Sequence, residues 1–383
     1  MPRISNNQIF SIFFVAIASC AYILCPKIVA DIAANNGWLA VLASFLPGIL
    51  IIYIYIYILK KSSRSFPLML EDHLGRIAGK LLGLTYVFIF LLSSIMSLRS
   101  FVSFAESTTS PGIPVSVLIT LMLLPAFYAV RSGIVVFARV SEVIFFLFLP
   151  LLVLMMILGT QGADCKNLMP FGYVSFRNFI NASFQPLWHI GSFFIILTLS
   201  YFSNNRSKIP RMLFLSLLLF IVLASLMSLV SIIGQGAALT AALTFPLFTI
   251  ARATSIGGFI KNIEIIFISL FIAGIFVSIS IHWFMACYTC QQVFQLKDYR
   301  LLAMPTALIL GFSSTLISPN LDMLYIIWEK VAPPLFSFFY IGIPFLLAGI
   351  LLFKPPPAPQ KGNGLQAPLD ERWETRDVKR EKG

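Results

Sequence analysis

Apolar residues run along this chain in blocks of roughly twenty, broken by short polar turns, and neither strand alternation nor a one-sided helical stripe describes them. Blocks of that length match the hydrocarbon thickness of a bilayer at the rise of an α-helix. Read between polar breaks, the pattern predicts ten membrane-spanning helices: 8–30, 38–59, 81–106, 114–130, 134–158, 183–203, 211–234, 259–294, 301–318 and 324–353. Two longer connections, 159–182 and 235–258, are rich in Gly, Pro, Ser and Thr. The expectation is an all-α integral membrane protein whose even span count leaves both termini on one side.

Composition agrees. Of 383 residues, 58% are hydrophobic and 11% charged, against roughly half and a quarter in a soluble domain. Of the net charge of +12, the tail from Lys354 carries +2 and much of the rest lies in short loops: Lys60, Lys61, Arg64, Arg76 and Lys80, then Arg206, Lys208 and Arg211, then Lys297 and Arg300. Basic clusters in every second loop assign those loops, and both termini, to the cytoplasm. Nucleic-acid binding would need a basic groove on a water-facing domain, and the sequence offers none. From Lys354 the chain turns proline-rich and mixed in charge, so 1–353 reads as the membrane domain and 354–383 as a disordered cytoplasmic tail. The N-terminal "IASC" before Cys20 could end a lipoprotein signal. However, the apolar run continues past it, unlike a signal core that stops at cleavage. Cys287 and Cys290 form a CxxC inside a span with no second ligand pair, which reads as helix packing rather than metal or redox chemistry.

Two spans carry the composition of broken helices. The first holds Ser19, Cys20 and Ala21 at mid-depth, followed by Pro26. The sixth holds Pro186, then Trp188, His189, Gly191 and Ser192. They occupy corresponding positions in two five-span halves, 8–158 and 183–353, as in transporters built from inverted repeats with a midplane site between broken helices. Unwound backbone there would meet a zwitterion, carboxylate at a helix N-terminus and ammonium at free carbonyls. Close helix packing through small residues is the competing explanation.

The stretch "LRSFVSFAESTTSPGIPVSVLITLMLLPAFYAVRSGIVVFARVSEVIFFL", with "NGWLAVL" at 36–42, "TFPLFTIARATSIGGFIKNIEIIFI" at 244–268 and "QLKDYRLLAMP" at 295–305, resembles the spore germination B-subunit family. These are permease-like subunits of endospore nutrient-germinant receptors, related to amino acid/polyamine/organocation transporters. The resemblance covers all but the tail and implies a LeuT-like fold with helices 1 and 6 broken. It also implies a small nutrient ligand, an amino acid first, and partners in a membrane A subunit and a C-subunit lipoprotein, in the cell membrane or spore inner membrane. The chain departs from the family at Ser19-Cys20-Ala21 (usually Gly-rich), at Ser192 (often acidic), at Asn262 (usually Arg) and at Ser278 (often Lys). Losing ionisable groups weakens a proton-coupled reading. An active cation-coupled permease and a ligand-free structural subunit remain the alternatives.

In that fold the third and eighth spans are neighbours. Arg99 lies ~27 Å along the third span, and Glu264 sits ~7 Å below the start of the eighth, at similar depth by rise per residue. An arginine in lipid faces the bundle with a partner, so Arg99 is expected to pair with Glu264, with Glu106 as the other choice. Arg139 and Glu142, one turn apart, suit a local ion pair. Ser278 and His282 form a polar face on the eighth span and are expected to help line the pocket. Two histidines without a carboxylate or cysteine cluster make a poor metal site, and no cofactor is expected. No GxSxG, HExxH or phosphate-binding loop occurs, so the chain does not read as an enzyme.

Overall fold

The computed structural model describes residues 3–61, 64–109, 112–254 and 264–353, with the backbone alone at 18–20, 22 and 23. The tail and the departure at Asn262 lie outside the described residues.

Helix α1 (Asn6–Ala33) starts at a reciprocal cap. The Gln8 amide donates to Ser5 Oγ at 3.2 Å and the Ser5 amide donates to Gln8 Oε1 at 3.0 Å. The helix then runs without interruption through Ser19, Cys20 and Ala21 and past Pro26. The expected break in the first span is therefore absent from the helix assignment. The physical reason is that Ser, Cys and Ala all retain their amide and a helix-compatible Cβ, so nothing at that point removes a backbone bond.

The second span is α2 (Gly37–Ala43) continued by α3 (Phe45–Lys61). A short α4 (Phe66–Leu74) packs back onto the long α5 (Arg76–Phe104), which ends in a π turn at Ala105–Thr109. Then come α6 (Val115–Ser132) and α7 (Ile134–Gly159). The sixth span is fragmented as expected: α8 (Phe176–Phe184), a turn at Gln185-Pro186, α9 (Leu187–Gly191), a 3-10 turn at Ser192–Ile195 and α10 (Ile196–Leu199). Pro186 has no N–H to continue α8, which accounts for the first interruption.

The second half continues with α11 (Ile209–Gln235), the short α12 (Ala237–Ala242) and α13 (Pro246–Ala253), α14 (Glu264–Phe294) and α15 (Ala303–Leu316). The last span is α16 (Leu321–Ile326), α17 (Ala332–Ser337) and α18 (Ile343–Phe353), separated by π turns at Ile327–Val331 and Phe338–Gly342. The ten expected spans coincide with helical runs, the eighth from Glu264 on, since 259–263 lie outside the described residues. Eight stretches of the described residues are long and apolar enough to cross a membrane. The shortfall lies in α1, where Asn6–Ile17 counts only as a shorter apolar helix, and in the 14-residue α15. The chain is a multi-pass membrane protein.

Helix α14 packs along α5, and α1 lies against α7, α11 and α14, so the first and eighth spans sit at the centre. At the basic-loop end, the N-terminus is tied to the end of the sixth span. Ile4 N–H donates to Phe202 C=O at 2.8 Å, Asn204 N–H donates to Ile4 C=O at 3.0 Å, and Ser203 Oγ donates to Asn6 Oδ1 at 2.7 Å. At the other end, the 159–182 connection is anchored on the turn after α1: Asn35 Nδ2 donates to Met169 C=O at 2.6 Å and Gly172 N–H donates to Asn36 Oδ1 at 2.9 Å.

A closed midplane cavity as the candidate ligand site

The breaks in the sixth and last spans turn side chains inward at mid-depth. A cavity of about 30 Å³ lies there, room for roughly two waters. From the sixth span Trp188, His189 and Ser192 reach it, and from α14 Ser278 and His282. These five were expected at the site, and the fold brings them together from segments nearly ninety residues apart. Of the others, Gly191 is buried beside the cavity but packs on the last span: an added Cβ would sit 3.2 Å from Tyr340 Cβ and from Ile341 Cγ1. Gly191 is therefore a contact glycine, not a wall residue. Ala21 is fully buried and is not in the wall, which α1 supplies through Ala16 and Ile17. The side chains of Ser19 and Cys20 lie outside the described residues.

The remaining wall comes from residues the sequence reading did not select. Ser93, Met96 and Ser97 on α5 and Trp328, Phe336 and Tyr340 on the last span complete it. A signal existed for the serines: 93, 97 and 100 recur at helical spacing within an apolar span. Ser97 Oγ lies 3.2 Å from Ser278 Oγ, and Ser93 Oγ lies 2.9 Å from the Tyr340 hydroxyl. His282 Nδ1 donates to the Ser278 carbonyl at 2.7 Å, so the neutral ring keeps Nε2 as an acceptor. His189 lies against the Trp188 ring with centroids 3.6 Å apart.

Aromatic rings pack on two sides of the cavity. Towards the basic-loop end, Tyr86, Phe194, Tyr340 and Phe336 stack in sequence, with centroids 4.8, 5.5 and 5.6 Å apart. On the opposite side, Trp328 donates from Nε1 to Ser100 Oγ at 3.1 Å and packs on Trp188 at 5.1 Å. Trp328 also lines a second, apolar cavity with Leu24, Phe271 and Tyr325, so one indole separates the two spaces. Two tyrosines hold the irregular backbone. The Tyr55 hydroxyl reaches the carbonyls of Gly191 and Tyr340 at 2.9 and 2.6 Å, and the Tyr86 hydroxyl donates to Phe339 C=O at 2.7 Å. The widened turn at Phe338–Gly342 leaves carbonyls free for them.

The charged pairs differ from expectation. Arg99 is 5% exposed, and its partner is Glu106, at 3.7 Å, rather than Glu264. Depth along the bilayer favoured both acids equally. The π turn at Ala105–Thr109 rotates Glu106 back over the guanidinium. Arg99 Nε and Glu264 Oε2 are both buried without a hydrogen bond among the described residues. Arg139 is exposed and makes no ion pair with Glu142 among the described residues. Glu142 instead accepts from Gln8 Nε2 of α1 at 3.1 Å. In a double-mutant cycle read by thermal unfolding in detergent, Arg99→Leu should couple to Glu106→Gln by about 0.5 kcal/mol or more. With Glu264→Gln it should be additive within about 0.3–0.5 kcal/mol. Equal coupling to both acids would contradict the assignment. No group of three or more metal-ligating side chains occurs among the described residues.

Solved structures with this architecture are solute transporters of the LeuT-like fold. The chain is similar to MhsT in complex with L-phenylalanine (TM-score 0.63, 16% identity, 88% of this chain and 87% of that one). It is likewise similar to a substrate-bound, Na+-coupled sialic acid symporter (0.63, 13%, 90% and 79%). A third likeness is to MHP1, a nucleobase-cation-symport-1 family transporter, closed with bromovinylhydantoin bound (0.59, 13%, 88% and 78%). Among characterised sequences, it is 24% identical to spore germination protein KB of Bacillus subtilis over 92% of this chain and 94% of that protein. It is also 24% identical to the putative spore germination protein YfkT of the same organism, over 80% and 85%. The spore germination protein family model matches residues 3–321, and the chain belongs to that family of spore permeases.

Proposed function

We propose that this protein is the nutrient-sensing membrane subunit of a spore germinant receptor, and that a small solute entering the midplane cavity shifts a conformational equilibrium passed to partner subunits. The observation that carries the reading is the convergence of Trp188, His189, Ser192, Ser278 and His282 on one cavity. Solute neighbours of the fold hold ligands as different as an amino acid, a sialic acid and a hydantoin. The fold therefore leaves the ligand class open, and the amino acid implied by the family resemblance is one choice among these. In this reading residues 1–353 are the sensing domain, made of repeats 8–158 and 183–353. The basic loops and both termini face the cytoplasm, in the cell membrane or spore inner membrane. A larger A subunit and a C-subunit lipoprotein are the partners.

A sensor needs the cavity to open and close, whereas a permease needs it to open to both sides in turn. Ile4 N–H donates to Phe202 C=O and Asn204 N–H donates to Ile4 C=O, tying the N-terminus to the sixth span at the basic-loop end. In proteoliposomes under an imposed ion gradient, the receptor should bind the solute that triggers germination without accumulating it. Gradient-driven accumulation would replace this reading with the permease.

A further inference from the structure

We propose that the solute is an uncharged planar ring carrying N–H and C=O groups on its edge, of the cyclic amide or nucleobase type. This rests on the reading of the midplane cavity as the ligand site and narrows it. Three observations lead here.

First, among the described residues no Asp, Glu, Lys or Arg lines the cavity, and residues 18–23 of the adjoining helix, Ala-Ser-Cys-Ala-Tyr-Ile, add none. A carboxylate or ammonium brought there would lose its water without meeting an opposite charge, the most costly kind of burial.

Second, the backbone that could stand in for charged side chains is already used. Helix α1 is unbroken, so its mid-depth amides are bonded within the helix, although Pro26 supplies no N–H to the Tyr22 carbonyl. In the sixth span, Ser192 N–H donates to the carbonyls of His189 and Ile190, and Ile196 N–H to those of Phe193 and Phe194. The Gly191 carbonyl is held by Tyr55. A zwitterion's carboxylate thus finds none of these amides free.

Third, the groups that do face the space suit a flat neutral ring. Trp188, Trp328 and Phe336 present apolar faces for stacking. His282 keeps Nε2 as an acceptor for a ring N–H. The Ser192 hydroxyl makes no hydrogen bond among the described residues and can donate to a ring carbonyl.

The test is equilibrium binding to the full chain in lipid nanodiscs, followed by tryptophan fluorescence. The probes are uracil and hydantoin against L-alanine and L-phenylalanine, with wild type, Ser192→Leu and His282→Phe. A neutral ring should bind saturably, lose its signal in Ser192→Leu, and bind about tenfold more weakly to His282→Phe, which keeps the ring's bulk but not Nε2. Saturable binding of an amino acid that Ser192→Leu abolishes, with the rings inactive, would overturn the ligand class and leave the cavity as the site. Ring binding unchanged in Ser192→Leu would overturn both. Silence from all four probes would overturn the ring class, and the nutrient response of Ser192→Leu spores would then judge the cavity on its own.

Discussion

Spores carrying Ser192→Leu should need roughly 100-fold more nutrient for a half-maximal response, a loss of about 2.8 kcal/mol in solute affinity at 1.4 kcal/mol per tenfold. Ser192 lines the cavity and its hydroxyl makes no hydrogen bond among the described residues, so leucine removes no structural bond. It does put a branched side chain into a space that now holds room for about two waters. Overpacking of this kind costs about 1–3 kcal/mol of stability at most sites, so quantitative immunoblotting must show near-normal protein. Germination by a route that bypasses the receptor should be unchanged. An unshifted dose–response curve at normal abundance would place the ligand elsewhere and favour the ligand-free structural subunit.

Tyr55→Phe should lower unfolding stability by about 1–3 kcal/mol, because it removes the one O–H proton that the buried carbonyls of Gly191 and Tyr340 share. The ring stays packed against Phe194, so the loss reads the hydroxyl alone. Tyr53, two residues earlier and largely exposed, is the control. Its change to Phe should stay within about 0.5 kcal/mol. Thermal unfolding of the purified variants in detergent would measure both. Equal effects at the two positions would mean that the hydroxyl does not hold the sixth and last spans together.

Polar residues stand out in an apolar sequence, and that contrast made part of the site legible. His189, Ser192, Ser278 and His282 are conspicuous in spans otherwise rich in Phe, Leu and Ile, and all four reach the cavity. Pro186 marked the sixth-span interruption because a missing N–H is a local property of the chain. Trp328, Phe336 and Tyr340 were invisible for the opposite reason: an aromatic residue in an aromatic-rich span carries no contrast. Their inward placement depends on π turns that no spacing rule announces. The first-span break was expected from small residues, but small size permits a helix as readily as a break. Arg99 shows a further limit. Rise per residue gave its depth, where Glu106 and Glu264 both compete, while the choice between them turned on rotation about the α5 axis.

The account stands on a solute occupying the midplane cavity. The most direct measurement is recovery of bound solute from the receptor, purified in nanodiscs after equilibration with the nutrient mixture that germinates the source spores, and identified by mass spectrometry. Wild type should retain close to one solute molecule per chain, and Ser192→Leu, at equal folded amount, should retain none. The same solute recovered in equal amount from both proteins would contradict the account.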